Sequence, residues 1–296
     1  MNAADLLGGP LTGRARPFTI GLSPLDPAAW IMSDTRLAND LAEKERLLAA
    51  QPEAVFRAEP ESEAAQDEVL ARLVHHLPRR FPAIYVDKGA HLALPALGRR
   101  IALDEGAPPL LTAARLVQED LVLMIRHAGV WRMAAGAVFF PSAWLLAEKV
   151  GQAMDRIHAP VPGFGAGTRA AATIQRLFDH LAPDQPALRW NWGIHDSPTL
   201  HLPRRGEGAG DPAGPAATFL RVERQTLTRL PGTGAILFTI RTHLDPLAVL
   251  ATMPDRKALA TRLARQVAAL TPAELAYKNL AGQRDALLAE LAGLAA

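Results

Sequence analysis

Two β-forming runs, 219–230 and 235–244, flank Pro231-Gly232-Thr233-Gly234, and this spacing predicts an antiparallel hairpin. A second pair, 116–125 and 130–140, surrounds a turn at Ala128-Gly129, and 189–195 reads as a further strand. Elsewhere the apolar positions recur with helical spacing. Helices are predicted over 37–50 with Asp34 as cap, over 62–76 ended by Pro78 and Pro82, over 143–157 started by Pro141-Ser142, and over 166–181 ended before Pro183. The chain turns helical again over 255–270, 272–279 and 282–292, with Thr271 as cap and Pro272 at the first helical position. Residues 1–34 read as an irregular arm, and 203–217 as a mobile Gly/Pro-rich loop. Strands in the middle and helices at both ends predict an α+β fold with a largely antiparallel sheet. The expected organisation is one domain: a helical arm over about 1–110, a core over about 111–250 and C-terminal helices over about 251–296.

The hairpin breaks the usual pattern in one place. A half-buried strand alternates apolar and polar residues. Over 221–227, Arg221, Glu223 and Gln225 share one face, and Val222, Arg224 and Thr226 share the other. Neither face is apolar through its centre. The segment is either an edge strand with solvated ion pairs or a polar wall that orients a ligand. The partner run places Thr239 and Arg241 on one face and Phe238 and Ile240 on the other.

The second unusual feature is His158, at the end of a predicted helix and followed by Pro160 and Pro162. It either caps that helix, where a cation is favourable, or presents one imidazole to a metal. No second ligand lies nearby at zinc spacing. Heme brings four equatorial ligands of its own and needs only one from the chain. Lys149, Arg156 and Arg169 flank His158 and either pair with propionates or stay solvated. Trp190 and Trp192 share a strand face, where they pack the core or wall a flat cofactor. His195 and His201, near strand ends, read as surface residues. Gly163, Gly165 and Gly167 precede a helix but lack the spacing of a dinucleotide fingerprint.

Composition narrows the chemistry. There is no cysteine in the 296 residues, which excludes disulfides, thiolate catalysis, Fe–S ligation and thiolate-ligated heme. Net charge is +2, and the 27 Arg and 5 Lys form no dense tract, so nucleic acid is not an expected partner. No secretory signal is evident. The most apolar run, 133–147, is too short to span a bilayer. A cytoplasmic location is the expectation.

Several phrases together resemble a known family. Phe-Pro-Ser-Ala-Trp (140–144), Glu-Lys-Val-Gly (148–151), Ile-His-Ala-Pro-Val-Pro (157–162), Arg-Trp-Asn-Trp (189–192), Arg-Val-Glu-Arg-Gln-Thr-Leu (221–227) and Phe-Thr-Ile-Arg-Thr (238–242) are similar to the heme-dependent oxidative N-demethylases of alpha-subunit type. Gly-Leu-Ser-Pro-Leu-Asp-Pro-Ala-Ala-Trp (21–30) and Gln-Glu-Asp-Leu (118–121) extend the likeness, which spans about 17–250 in order. The resemblance implies a PAS-type heme-binding fold with a heme-facing helix on one side of the ring and the sheet on the other. It implies a b-type heme ligated by His158, with Lys149, Arg169 and Trp192 around the cofactor. Arg221, Glu223, Arg224 and Arg241 would form the distal, reactive wall. The implied activity is oxidative demethylation of a small secondary amine such as dimethylamine, using O2 and electrons from separate reductase subunits carrying flavin and an Fe–S cluster. A non-catalytic heme sensor or carrier, and a heme-free relative that binds another small ligand, are the competing readings.

Overall fold

A computed structural model describes residues 9–11, 18–204 and 218–296. Seven strands form one antiparallel sheet: β1 (Ser23–Pro24), β2 (Phe56–Ala58), β6 (Asp120–His127), β7 (Val130–Ala137), β8 (Ala187–His195), β9 (Phe219–Arg229) and β10 (Ile236–Pro246). Their order across the sheet is β1-β8-β9-β10-β6-β7-β2. The five long strands, counted in chain order, thus run 2-1-5-4-3. Three short strands, β3 (Val86–Asp87), β4 (His91–Leu94) and β5 (Arg99–Ala102), form a separate small sheet that the sequence pattern did not announce.

The hairpins follow from their turns. Ala128 and Gly129 both take positive φ, 47° and 81°, the two left-handed residues of a turn that matches strand twist. The β9–β10 hairpin runs in unbroken register from Ile236 opposite Arg229 to Pro246 opposite Phe219. β9 lies between β8 and β10, so the edge-strand reading of 221–227 is overturned. Its ionic residues are interior ones.

Among the described residues the helices are α1 (Leu37–Ala50), α2 (Pro52–Val55), α3 (Glu63–Arg80), α4 (Pro109–Ala114), α5 (Met154–Ile157), α6 (Arg169–His180), α7 (Arg256–Ala268), α8 (Pro272–Tyr277) and α9 (Arg284–Ala295). Thr271 and Glu274 form the reciprocal capping box that starts α8. Asp34 accepts the Arg36 N–H just before α1. Two expectations fail. α3 runs through Pro78 to Arg80; Pro78 leaves the Val74 carbonyl without its helical donor, and the burial of Leu73 and Leu77 holds the turn in spite of that. The helix expected over 143–157 is mostly absent. Ala143 and Gly151 take positive φ, only a 3-10 turn (Leu146–Glu148) and the four residues of α5 form, and Gly151 N–H donates to the Met133 carbonyl of β7. Pairing with the strand outcompetes the local helix. The 203–217 loop lies outside the described residues from 205 onward.

Strand alternation divides the layers. Val222, Arg224 and Thr226 of β9 share a face with Trp192, Trp190 and Leu188 of β8 and with His243, Arg241 and Thr239 of β10. The N-terminal helices cover one part of this face, with Val69, Leu73 and Leu77 of α3 in the same buried cluster as Leu121, Leu123 and Leu237. The C-terminal helices cover another, with Leu259, Leu263 and Leu291 packed with Trp192 and Val222. The opposite face carries Val122, Met124, Leu227 and Ile236 and is covered by α5, α6 and the 144–150 segment. The two helical layers therefore leave the β7–β8 connection alone over the second face.

Candidate functional site

The face beneath α5 and α6 is where His158 meets the sheet. His158 ends α5 and is half-buried. Its Nδ1 lies 3.0 Å from the Met154 carbonyl, so Nδ1 carries the proton and donates it. Nε2 is left as the ring's free lone pair. Burial, then the positive charges of Arg189 and Lys149, hold the imidazole below its usual pKa, and the Met154 contact opposes them. The residue is a neutral imidazole near pH 7, oriented by a backbone acceptor, as a metal-binding histidine must be. Its ring lies 6.4 Å from that of Phe164. Beside it is a crevice of about 10 Å³ lined by Met154, Asp155, Phe164, Ala171, Ile174 and Gln175. The Gln175 Oε1 is buried there with no hydrogen-bond partner.

Below lies a polar patch. The register places Gly193, Asn191 and Arg189 of β8 beside Arg221, Glu223 and Gln225 of β9. It places Thr242 and Ile240 of β10 on their other side. Arg221, 2% exposed, donates Nε to Glu223 at 3.0 Å and also bonds the carbonyls of Leu200 and Phe140 and the Thr242 hydroxyl. Glu223 further accepts from Asn191 Nδ2 at 3.2 Å and Gln225 Nε2 at 2.9 Å. Burial raises its pKa, but Arg221 and these donors outweigh it, so the carboxyl titrates below the usual range. It is an ionised carboxylate in the interior. Arg189 is half-buried, and its Nε is sequestered without a partner. Lys278, at the end of α8, donates to the Trp192 carbonyl and lies 4.6 Å over the Trp192 ring. Burial draws its pKa down to about 8, with Glu223 the strongest opposing charge. His195, half-buried, lies 3.4 Å from the Ser142 hydroxyl and is held near pKa 4 by burial and Arg221.

The other residues singled out from sequence fall elsewhere. Arg224 points to the opposite face, where it donates to the carbonyls of Ala29 and Trp30. Arg241 is on that face too, fully buried, 2.7 Å from Asp34 Oδ2 and 3.1 Å from Asp40 Oδ2. Both guanidinium groups fasten the N-terminal arm to the sheet, away from His158. Trp192 also lies there, its indole N–H donated to Gln266 of α7. Lys149 donates to the Ile157 carbonyl at 2.9 Å and so braces the turn that carries His158. Arg169 is exposed at the start of α6. His195 and His201 are half-buried rather than surface residues; His201 Nδ1 lies 2.7 Å from the Phe139 carbonyl. His201 also borders a larger cavity of about 250 Å³, with Gln51, Pro141, Trp144 and Arg204, apart from the His158 crevice.

Two residues of the polar patch carried no sequence signal of their own. Arg189 begins the Arg-Trp-Asn-Trp run, but the face it takes is set by the pairing of β8 with β9. Lys278 sits in an unremarkable amphipathic helix 55 positions after Glu223 (278 minus 223), and only the tertiary fold brings it to β8.

The chain matches the model of the family described as "Haem-dependent oxidative N-demethylase, alpha subunit-like" over residues 21–288. It belongs to that family. The match takes in α1 to α8 and the first turn of α9, beyond the phrases recognised in the sequence. The family's description indicates dependence on heme and an alpha subunit with partner subunits. Among the described residues, no helix is long and apolar enough to cross a membrane, and no group of three or more His, Cys, Asp or Glu could hold a metal ion.

Proposed function

We propose that this chain is the heme-bearing subunit of an oxidative N-demethylase, with His158 as the iron ligand. The observation that carries the reading is the His158 ring itself: neutral, oriented through Nδ1 on the Met154 carbonyl, with Nε2 free beside a crevice. The surroundings fit heme. Apolar residues from both sides, including Ile174, Phe178, Leu227 and Phe238, offer surfaces for a flat macrocycle. Unpartnered polar atoms of Gln175 and Arg189 offer contacts at its margins. The 2-1-5-4-3 strand order, with the β7–β8 connection laid over one face, supports the PAS-type description.

Bound there, heme b supplies the iron at which O2 is reduced and an amine oxidised. The chain's own residues do the positioning. Glu223 is a fixed, ionised carboxylate and therefore an acceptor for a small secondary ammonium ion such as dimethylammonium. Arg221 holds that carboxylate in place from the interior. Asn191 and Gln225 set its second oxygen. Electrons come from partner subunits with flavin and an Fe–S cluster, since this chain has no cysteine to hold one.

The crevice of about 10 Å³ has room for little more than one water, and α6 must move outward to admit heme. That small volume favours a second reading, a heme-free relative that binds a smaller ligand. One absorption spectrum of the purified protein, before and after hemin addition, separates them. The proposal expects a Soret band that His158→Ala abolishes or strongly shifts. A spectrum indifferent to that substitution removes the ligand assignment, and a protein that stays colourless with excess hemin leaves the second reading.

A further inference from the structure

The larger cavity, of about 250 Å³, lies apart from the His158 crevice. Its volume is close to the lower end of small-molecule pockets, roughly 300–1,000 Å³. Three separate pieces of chain make its walls: the end of α1 with α2, the 141–146 segment, and 201–204. The last two are bonded to one another. The Ala143 N–H donates to the Leu202 carbonyl at 2.7 Å, and the Leu202 N–H donates to the Pro141 carbonyl at 3.0 Å. Ala143 takes φ 60° there, a strained value for a residue with a Cβ, and the next residue, Trp144, lines the cavity. Leu146, also on the wall, is seated against β7 where Gly136 leaves room; a Cβ at 136 would lie 2.7 Å from Leu146 Cδ1. His201 joins the first piece to the others. Its Nδ1 lies 2.7 Å from the Phe139 carbonyl and so carries the proton, and Nε2 accepts from Gln51 Nε2 at 2.9 Å. That bond fixes which way the Gln51 amide faces. Its second N–H and its Oε1 have no hydrogen-bond partner among the described residues.

We infer that this cavity binds an uncharged, flat ring compound that bears a carboxamide or lactam group. An amide with one uncommitted N–H beside its carbonyl is matched by a group that offers the same pair in reverse. The ring of such a compound packs on the Trp144 indole and against the apolar walls at Pro141 and Leu146. Charge argues for a neutral guest. Among the described residues, no Asp, Glu or Lys lines the cavity. An ammonium ion therefore finds no counter-charge there, which separates this cavity from the amine receptor placed at Glu223. Arg204 does line it, but is exposed, where water and salt screen its charge. The site is independent of heme: it stands whether or not His158 binds iron.

The test titrates the full chain with three probes that share one ring, benzamide, benzoate and benzylammonium, followed by calorimetry and tryptophan fluorescence. Benzamide should bind with a dissociation constant of about 1 mM or below, in keeping with its few atoms. The two charged probes should each bind about tenfold more weakly or worse. Ala54→Leu fills the cavity from α2 and removes no side-chain hydrogen bond. It should cost about tenfold or more in benzamide affinity at an unchanged melting temperature. Trp144→Ala should lose as much affinity, and the fluorescence change with it. Gln51→Leu should bring benzamide down to the level of the charged probes. His158→Ala should bind benzamide as the parent does. The inference is overturned if no probe binds at about 10 mM, if Ala54→Leu keeps the parent's affinity, or if a charged probe binds as tightly as benzamide. Full benzamide affinity in Gln51→Leu overturns the match to a carboxamide. Loss of benzamide binding in His158→Ala would merge the cavity with the His158 site and overturn its independence.

Discussion

Arg221 and Arg224 stand three residues apart on β9, and the sheet lies between their guanidinium groups. One bonds Glu223 and the Phe140 carbonyl on the His158 side; the other bonds the carbonyls of Ala29 and Trp30 on the side of the N-terminal arm. Both are at most 4% exposed. Strand alternation alone decides which of two neighbouring arginines pairs with Glu223 and which anchors the N-terminal loop.

Arg241 should behave as an anchor. Arg241→Met removes the cation that Asp34 and Asp40 share and leaves those carboxylates uncompensated against the sheet. Chemical denaturation should show a loss of about 3–5 kcal/mol, the usual cost of breaking one side of a buried pair. The hemin affinity of the remaining folded protein should stay within twofold or so of the parent, given the sheet between the sites. A stable variant that loses ligand binding would place Arg241 at the site instead.

Glu223 should behave oppositely. Glu223→Gln keeps the shape and can still accept from Asn191, but removes the negative charge. The melting temperature should fall, because Arg221 loses the carboxylate it pairs with in the interior, and in the folded protein below that transition amine-induced spectral shifts should weaken by about tenfold or more, as expected for loss of a charge-assisted contact. Arg221→Leu is a poorer probe, because it strips donors from the Leu200 and Phe140 carbonyls and the Thr242 hydroxyl and should destabilise the fold. Unaltered amine binding in Glu223→Gln would end the carboxylate's role as a receptor.

Acid sensitivity should begin at the histidines. His243 is 3% exposed, both ring nitrogens lack partners, and burial with the neighbouring Arg241 draws its pKa to about 3. Arg36 opposes its protonation as well, and only Asp34, 3.8 Å away, favours it. In the unfolded chain the ring takes up its proton near pH 6.5. Between about 6.5 and 3 the unfolded state therefore holds more protons, and stability falls as pH falls. Each unit within that window should cost up to about 1.4 kcal/mol from this residue. His243→Phe should flatten the pH dependence of unfolding free energy between pH 4 and 6. An unchanged slope would assign the acid sensitivity elsewhere, with His195, near pKa 4, the next candidate.

Gln266 joins two distant parts of the chain. It accepts the Trp192 indole N–H and donates to the Pro10 carbonyl at 2.7 Å. Gln266→Ala should cost about 1–3 kcal/mol, because both partners become buried and unsatisfied. Hydrogen exchange should rise first in α7 and α9, which pack on one another. Uniform exchange across the sheet would contradict a local docking role.

How much of this was legible beforehand varies with the range of the deciding interaction. The β9–β10 hairpin was, because Pro231–Gly234 and the flanking β-formers are local signals. The segment over 143–157 was not, because a bond from Gly151 to Met133 on a neighbouring strand decides it. Pro78 misled because the burial of Leu73 and Leu77 outweighs the one helical bond that proline removes. The ionic residues of 221–227 were visible as an anomaly, but their meaning depended on β8 and β10 both pairing with that strand. His158 stood out in sequence through Pro160 and Pro162 after it, but the Met154 carbonyl that orients its ring is seen only in the structure. Lys278 could not, since nothing near it in sequence distinguishes a lysine that reaches the interior from one that stays in water.

Helix α6 carries a clear apolar stripe, Ala171, Ile174 and Phe178, yet none of its twelve residues is fully buried. Its last turn is nevertheless tied to the sheet, because the Trp131 indole and Arg229 both donate to Asp179. On the heme reading proposed above, the tethered end is the natural hinge and the Arg169 end the side that would open. Loading would then be a late event on a folded protein, paced by that hinge rather than by folding.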